Sequence, residues 1–115
     1  MEYSLLVVTC PNPEVAESIA RKLVDRRLVA CGNVTAPVTS VYRWKGRVRR
    51  ESEVILFLKT RQSLVGACMK AIRPLHPYEV PEVISVPITE GFPPYLAWVD
   101  RETRTRGRPP RAGGG

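Results

Sequence analysis

The residues that could do chemistry are concentrated in one short run, residues 76–82, with the sequence His-Pro-Tyr-Glu-Val-Pro-Glu. This run, named the connector below, holds the single histidine of the chain beside a phenol and two carboxylates. Its two prolines fix φ at about −65° and disfavour helix in the residues before them, so a stiff, non-helical segment is predicted. Stiff polar segments present groups well to a ligand or a partner subunit. The alternative is a loop that simply turns a corner.

Metal binding is one chemistry that these side chains suggest. Neutral imidazole suits copper and zinc, which makes His76 a candidate ligand, with Glu79 as a nearby oxygen donor. One histidine cannot form a site alone, so further ligands would come from symmetry-related copies of the chain. The competing interpretation is a histidine that is hydrogen-bonded at a subunit boundary.

The three cysteines, Cys10, Cys31 and Cys68, are widely spaced, and none belongs to a CxxC pair. An odd count without such a pair argues against a disulfide framework or a zinc ribbon and favours free thiols in a reducing compartment. Cys10 follows the first predicted strand and is the best candidate for an exposed, metal-accessible thiol. Cys68 lies on the apolar stripe of a predicted helix, so it is expected in the core.

Enzymatic activity is not expected from this sequence. Glutamates such as Glu51 and Glu53 could form acid–base pairs, but no nucleophile and oxyanion-hole pattern accompanies them. Neither GxxxxGK[ST] nor GxGxxG occurs, so the sequence offers no common phosphate-binding loop. The single histidine also has no serine or cysteine partner at a motif spacing.

Positive charge is concentrated at the C-terminal end of the chain. The 115 residues carry a formal net charge of +7, and residues 103–115 hold four arginines and no acid. We predict one domain over residues 1–102, followed by a disordered Arg/Pro/Gly-rich tail over residues 103–115. The tail could bind a polyanion weakly by counterion release. A solvated tail is favoured, and no specific nucleic-acid partner is expected.

The remaining composition is ordinary for a globular domain, with 43% hydrophobic and 25% charged residues. No apolar run approaches the roughly 20 residues of a membrane-spanning helix, so no membrane partner is expected. The N-terminal residues lack the basic region and the cleavage site of a signal peptide. The expected location is therefore cytoplasmic.

The periodicity of the apolar residues predicts an α+β domain. Asn12, Pro13 and Glu14 are typical of a helix start, Ser63 is the predicted cap of a second helix, and Pro74 ends that helix. Predicted strands cover residues 3–9, 34–44, 47–60 and 83–88, and predicted helices cover residues 13–27, 64–73 and 93–99. This order, β-α-β-β-α-β plus a short C-terminal helix, is typical of the split βαβ, ferredoxin-like fold.

The second and third predicted strands form a long hairpin about the turn at Lys45-Gly46, with an edge or a bulge at Pro37. Each strand could run about 12 residues, or about 40 Å, whereas a compact domain of this size has a diameter of about 34 Å. The hairpin should overhang its domain and pair with another subunit, which favours a closed ring of identical chains. Aromatic side chains suit such interfaces better than a base-stacking role, so a subunit interface is predicted for Tyr42, Trp44, Tyr78 and Trp98.

Five segments resemble the CutA divalent-cation tolerance family. They are residues 31–34, 40–46, 53–60, 76–82 and 95–98, and the likeness extends over about residues 4–101. The resemblance implies a ferredoxin-like homotrimer in which the hairpin arms pair between subunits. It also implies a role in tolerance to divalent metals, copper above all, with Cu(II) or another divalent metal as a ligand that folding does not require. No enzymatic activity is implied.

The resemblance also implies particular metal ligands. The histidine of the family's His-Pro-Tyr motif falls at His76. A cysteine proposed as a ligand in the family falls at Val8 here, with Cys10 two residues on and on the same strand face. A second histidine, common before the motif, is replaced by Leu75.

The resulting prediction is a small trimeric cytosolic protein that binds a divalent metal through the connector, with His76, Cys10 and Glu79 as ligands. The alternative is a signalling or scaffold trimer similar to the PII proteins, in which metal is incidental. Such a trimer would bind a small molecule or a protein in the cleft between its subunits.

Overall fold

The computed structural model describes residues 2–104, which form one five-stranded antiparallel sheet and three α-helices. The strands are β1 (Tyr3–Cys10), β2 (Cys31–Val34), β3 (Val38–Trp44), β4 (Arg47–Arg61) and β5 (Val83–Ile88). The helices are α1 (Pro13–Asp25), α2 (Val65–Ile72) and α3 (Pro93–Glu102), and short 3-10 turns lie at Gln62–Leu64 and Arg73–Leu75. The predicted mixed α+β class is confirmed.

The core lies between the sheet and the helices α1 and α2. Residues alternate between buried and partly exposed along β1 and along the second half of β4, as expected for strands with one covered face. The buried cluster draws on both strands and both helices and includes Leu6, Val8, Ile19, Leu23, Leu56, Leu58, Cys68 and Ile72. The expected core position of Cys68 is confirmed.

The first helix begins where the sequence predicts. The side chain of Asn12 accepts a hydrogen bond from the backbone N–H of Val15 at 2.9 Å, and Pro13 occupies the first turn. The helix ends at Asp25, two residues before the predicted end, because the chain turns sharply there. Arg27 takes a left-handed backbone conformation with φ of 59°.

The predicted strand 34–44 falls into two strands, β2 and β3, and the interruption at residues 35–37 includes Pro37. Both pieces pair with β4. Thr35 bridges the interruption, since its backbone N–H donates to Ile55 O at 3.0 Å and its hydroxyl accepts from Ile55 N–H at 2.9 Å. A side-chain oxygen thus replaces a missing backbone acceptor, and β4 remains continuous across the break.

The predicted cap of the second helix is wrong, although the helix begins within one residue of its predicted start. Ser63 lies inside the 3-10 turn Gln62–Leu64, α2 begins at Val65, and no side chain caps it. The predicted end is confirmed, because α2 stops at Ile72, ahead of Pro74. A second 3-10 turn then carries the chain directly into the connector.

The strand order is β2-β4-β1-β5, and β3 also pairs with β4. Residues 47–53 of β4 pair only with β3, whereas β1 pairs with residues 54–61. The two-stranded part, β3 with residues 47–53, is named the arm. The molecule measures 51 × 29 × 23 Å, with a radius of gyration of 15.5 Å against about 13 Å for a compact domain of this length. The predicted overhang is therefore present.

The C-terminal end of the described chain packs on the sheet. Thr103, the first residue of the predicted tail, is buried, and Arg61 donates to its hydroxyl at 2.9 Å. Arg104 forms an ion pair with Asp100. The rest of the predicted tail, residues 105–115, lies outside the described residues, so its disorder stays a prediction. Within residues 2–104 no helix has the length and apolar character needed to span a membrane.

Candidate functional site

His76 is fixed in the fold through both of its ring nitrogens. The side chain is 6% exposed, and its Nε2 lies 2.7 Å from the carbonyl oxygen of Thr9. Because a carbonyl only accepts, Nε2 carries the proton and donates. The other nitrogen, Nδ1, accepts from the backbone N–H of Tyr78 at 3.2 Å. In this arrangement the neutral imidazole has no lone pair free for a metal ion.

The local sequence explains why His76 reaches the end of β1. The 3-10 turn Arg73–Leu75 ends when His76 adopts an extended backbone, with φ of −98° and ψ of 134°. Pro77 requires such a conformation from the residue before it. The ring of Tyr78 then tilts against the imidazole, with 4.7 Å between the ring centroids. The connector is thereby anchored across the C-terminal end of β1.

A second anchor joins the connector to β4. The hydroxyl of Tyr78 donates to Glu53 Oε2 at 2.6 Å, and Glu53 is only 7% exposed. Burial raises the pKa of Tyr78, and the hydrogen bond to Glu53 and the charge of that carboxylate raise it further. The phenol is therefore a neutral donor at physiological pH. Glu53 lies where the arm joins the main sheet.

These anchors leave an open cavity of about 640 Å³ between the arm and the connector, named the arm–connector groove. Its volume falls within the range of about 300–1,000 Å³ that is typical of small-molecule sites. The arm contributes aromatic side chains, and the connector contributes acidic ones. The lining residues include Tyr42, Trp44, Arg49, Glu53, Tyr78, Glu79 and Glu82.

The structure separates the three predicted metal ligands. Cys10 is 0% exposed and lies on the helix-facing side of β1, so its expected exposure is wrong. Burial, and secondarily the charge of Glu53, raises the pKa of Cys10 to about 11, which disfavours the thiolate that metals bind. Glu79 is exposed and lines the groove, whereas His76 is buried. The described residues contain no group of three or more His, Cys, Asp or Glu side chains placed to hold a metal ion.

Three of the four predicted interface residues line the groove. Tyr42 is 37% exposed, and Trp44 and Tyr78 are half-buried. Trp98 lies apart from them on α3, where it contacts Tyr95 with 5.6 Å between the ring centroids. Their role in a subunit interface stays a prediction.

Comparison with protein families decides which group the chain belongs to. Residues 4–102 match the family model described as CutA1 divalent ion tolerance protein. The chain belongs to the CutA1 family. The match includes the connector and the arm, so the groove is made entirely of family segments.

Individual CutA1 relatives agree with this assignment. The CutA homolog of Xenopus laevis is 55% identical over 96 residues, which are 84% of this chain and 64% of that protein. The divalent-cation tolerance protein CutA of Thermus thermophilus is 40% identical over 99 residues, 86% of this chain and 96% of that one. The crystal structure of CutA from Xylella fastidiosa has a TM-score of 0.87 at 38% identity and covers 90% of this chain and 100% of its own. The chain spans only 57–64% of the length of the first vertebrate relatives.

Within this CutA1 chain, sequence reasoning missed the importance of Glu53. The sequence presents it only as one of several glutamates that could form acid–base pairs, whereas in the structure it is buried and bonded to Tyr78. One signal was available, because Glu53 directly precedes the apolar run 54–58 and so stands where β4 enters the core. A carboxylate at such a position needs a specific partner.

Proposed function

We propose that this CutA1-family protein acts in divalent-cation tolerance and binds copper or another divalent metal at the connector. The observation that carries the proposal is the family match over residues 4–102. The CutA1 family is a family of tolerance proteins, and we infer a binding rather than a catalytic role. The cytoplasmic location of the protein, which was expected from the N-terminal residues, stays a prediction.

Metal binding at the connector would have to compete with the hydrogen bonds that already hold the His76 ring. His76 can offer the lone pair of Nδ1 only if it gives up the N–H of Tyr78. It can offer one from Nε2 only if that nitrogen leaves the Thr9 carbonyl and also loses its proton. Glu79 is exposed beside it and can approach a metal without such a change. The remaining ligands would come from other subunits. We therefore expect metal binding to loosen the connector.

The test is a titration of Cu(II) into the native protein and the variants His76→Ala and Glu79→Gln. Both variants should bind Cu(II) more weakly, whereas the matched control Cys10→Ala should bind as the native protein does because Cys10 is enclosed in the core. Thermal unfolding of each variant would separate a lost ligand from a lost fold. Equal affinity in all four proteins would exclude the connector as the metal site.

We further propose a ferredoxin-like homotrimer in which the arms complete one another's sheets. The supporting observation is the arm itself, since Val41 and Val48 are each 66% exposed and residues 47–53 have a strand on one side only. Exposed apolar strands with open edges invite pairing with another chain. Native mass spectrometry should give three copies of the 12.9 kDa chain. A monomer at micromolar concentration would refute this assembly.

A second candidate function is the binding of a small molecule by a signalling or scaffold trimer, with metal incidental. The arm–connector groove favours it, because the cavity has the volume of a ligand site and its walls combine aromatic faces with charged groups. This candidate predicts a ligand that contacts Tyr78 and Trp44, and it does not require His76 to change partners.

A further inference from the structure

Glu53 is a buried carboxylate that lacks a cationic partner. It is more than nine-tenths buried, and its Oε2 accepts from the Tyr78 hydroxyl. No hydrogen bond or ion pair within residues 2–104 reaches its other oxygen, and that oxygen is not fully buried, so a ligand in the groove that Glu53 lines can reach it. Buried charges in proteins are normally paired or bound to a cation, because removing them from water is costly. A positive group in the groove would supply the missing partner.

The charge of the groove also favours a positively charged ligand. Its lining holds three carboxylates, from Glu53, Glu79 and Glu82, against the single guanidinium of Arg49. Three negative groups less one positive group leave an excess of two negative charges at neutral pH. The sequence as a whole carries a net charge of +7, so this groove opposes the charge of its surroundings. Such a local field concentrates cations at the groove.

The walls of the groove favour an organic cation over a metal ion. The carboxylates are not gathered closely enough with other ligands to form a metal-binding group within the described residues. Tyr42, Trp44 and Tyr78 instead provide aromatic faces, which attract ammonium groups and pack against apolar bodies. The cavity of about 640 Å³ is also far larger than a single ion requires.

We propose that the arm–connector groove binds a small organic cation, an amine with an apolar or aromatic body, whose ammonium group pairs with Glu53. This deepens the second candidate function above and rests on it. The ammonium group meets the free carboxylate oxygen, while the body of the ligand lies between Trp44, Tyr42 and Tyr78. Tyr78 remains the hydrogen-bond donor that holds Glu53 in place. Binding requires no movement of His76.

The test is isothermal titration of the full-length protein with 2-phenylethylammonium, with 2-phenylethanol as a neutral analogue of nearly the same shape. The native protein should bind the amine and not the alcohol. Glu53→Gln, which can still accept from Tyr78, should weaken amine binding by about tenfold or more. Glu17→Gln removes an exposed carboxylate on α1, outside the groove, and should leave the affinity unchanged.

Glu82→Gln provides a second variant in case Glu53→Gln does not fold, because Glu82 is exposed and its replacement should not disturb the core. It should also weaken amine binding, though less than Glu53→Gln. The inference fails if the native protein binds no amine at millimolar concentration, if it binds the alcohol equally well, or if both variants retain native affinity. If a lysine or arginine of a second copy already fills the groove, the native protein will bind no amine, which is the first of these results.

The same samples distinguish this inference from the proposed function. Cu(II) binding that depends on His76, measured in parallel, tests metal tolerance, whereas amine binding that depends on Glu53 tests the groove. Native mass spectrometry of each variant reports the subunit number. A trimer that binds Cu(II) but no amine would leave the metal-tolerance proposal intact and would refute only the proposal that the groove binds an organic cation.

Discussion

The two halves of strand β4 lie in opposite environments. Residues 54–61 pair with β1, residues 56–59 pair with β2 as well, and Val54, Leu56 and Leu58 are at most 2% exposed. Residues 47–52 pair with β3 alone, and every one of them is exposed. One half of the strand is thus paired and covered within a single protomer, while the other half keeps an open edge and two exposed faces.

The largest expected effect comes from the covered half. Leu56→Ala should lower the free energy of unfolding by about 2–5 kcal/mol, because it leaves a cavity in a fully buried site. Guanidinium unfolding at a fixed protomer concentration measures this loss in the free energy of unfolding. A loss below about 0.5 kcal/mol, the range of ordinary surface substitutions, would show that this half of β4 is not the core of the fold.

A smaller effect is expected at the junction of the two halves. Tyr78→Phe removes the one hydrogen-bond donor that residues 2–104 offer to the buried Glu53 carboxylate, and it should cost about 1–3 kcal/mol. Tyr42→Phe is the control, since that side chain is already 37% exposed and should change stability little. Equal losses for the two variants would mean that Glu53 does not depend on the connector.

Alkaline solution should weaken the core that packs against the covered half. Burial raises the pKa of Cys10 and of Cys68 from 9.0 to about 11. The folded state therefore holds protons that the unfolded state loses first, so this stability is complete below pH 9.0 and falls as the pH rises toward 11. The unfolding midpoint of the native protein should drop more over this interval than that of the Cys10→Ala/Cys68→Ala variant. If the unfolding midpoints of the two proteins fall equally with pH, the buried thiols do not account for the loss of stability.

The smallest effect on the protomer is expected in the arm. Val48→Asp changes a side chain that is 66% exposed and should alter protomer stability by no more than about 0.5 kcal/mol. The same change should weaken the proposed trimer, so the unfolding midpoint should lose its dependence on protein concentration. If Val48→Asp lowers the unfolding midpoint equally at all protein concentrations, the arm contributes to the stability of the single chain instead.

Local patterns were enough to predict most of the fold. The alternation in β1, the Asn12–Pro13 helix start and the Lys45-Gly46 turn are each encoded within a few neighbouring residues. Gly46 and Lys45 both adopt positive φ, as a tight hairpin turn requires. The hairpin length indicated an assembly of identical chains, and the family resemblance added its trimeric state and the divalent metal, which the periodicity could not indicate.

Errors arose where a distant contact decides the local structure. The break at Pro37 was anticipated, but the bridge from Thr35 to Ile55 depends on the register of β4. Ser63 looks like a helix cap in sequence, yet it lies in a 3-10 turn that begins at Gln62, directly after the last pair of β4, between Arg61 and Tyr3. Capping propensity is a weak guide where a strand runs directly into a helix.

The candidate site was predicted less well than the fold. Cys10 shares the strand face of Val8, and this period-two relation already indicated that it would be buried. Its position next to a proline-rich break suggested exposure instead. The pairing of Tyr78 with Glu53 joins residues 25 positions apart and depends on the path of the connector, which no local pattern specifies.

The unbroken course of β4 has a mechanical consequence. Its 15 residues run from the tip of the arm to the centre of the sheet without a loop that could act as a hinge. Val48 and Leu56 are therefore joined by strand backbone alone. Any displacement of the arm against the core has to bend β4 itself, because no loop lies between them to absorb it.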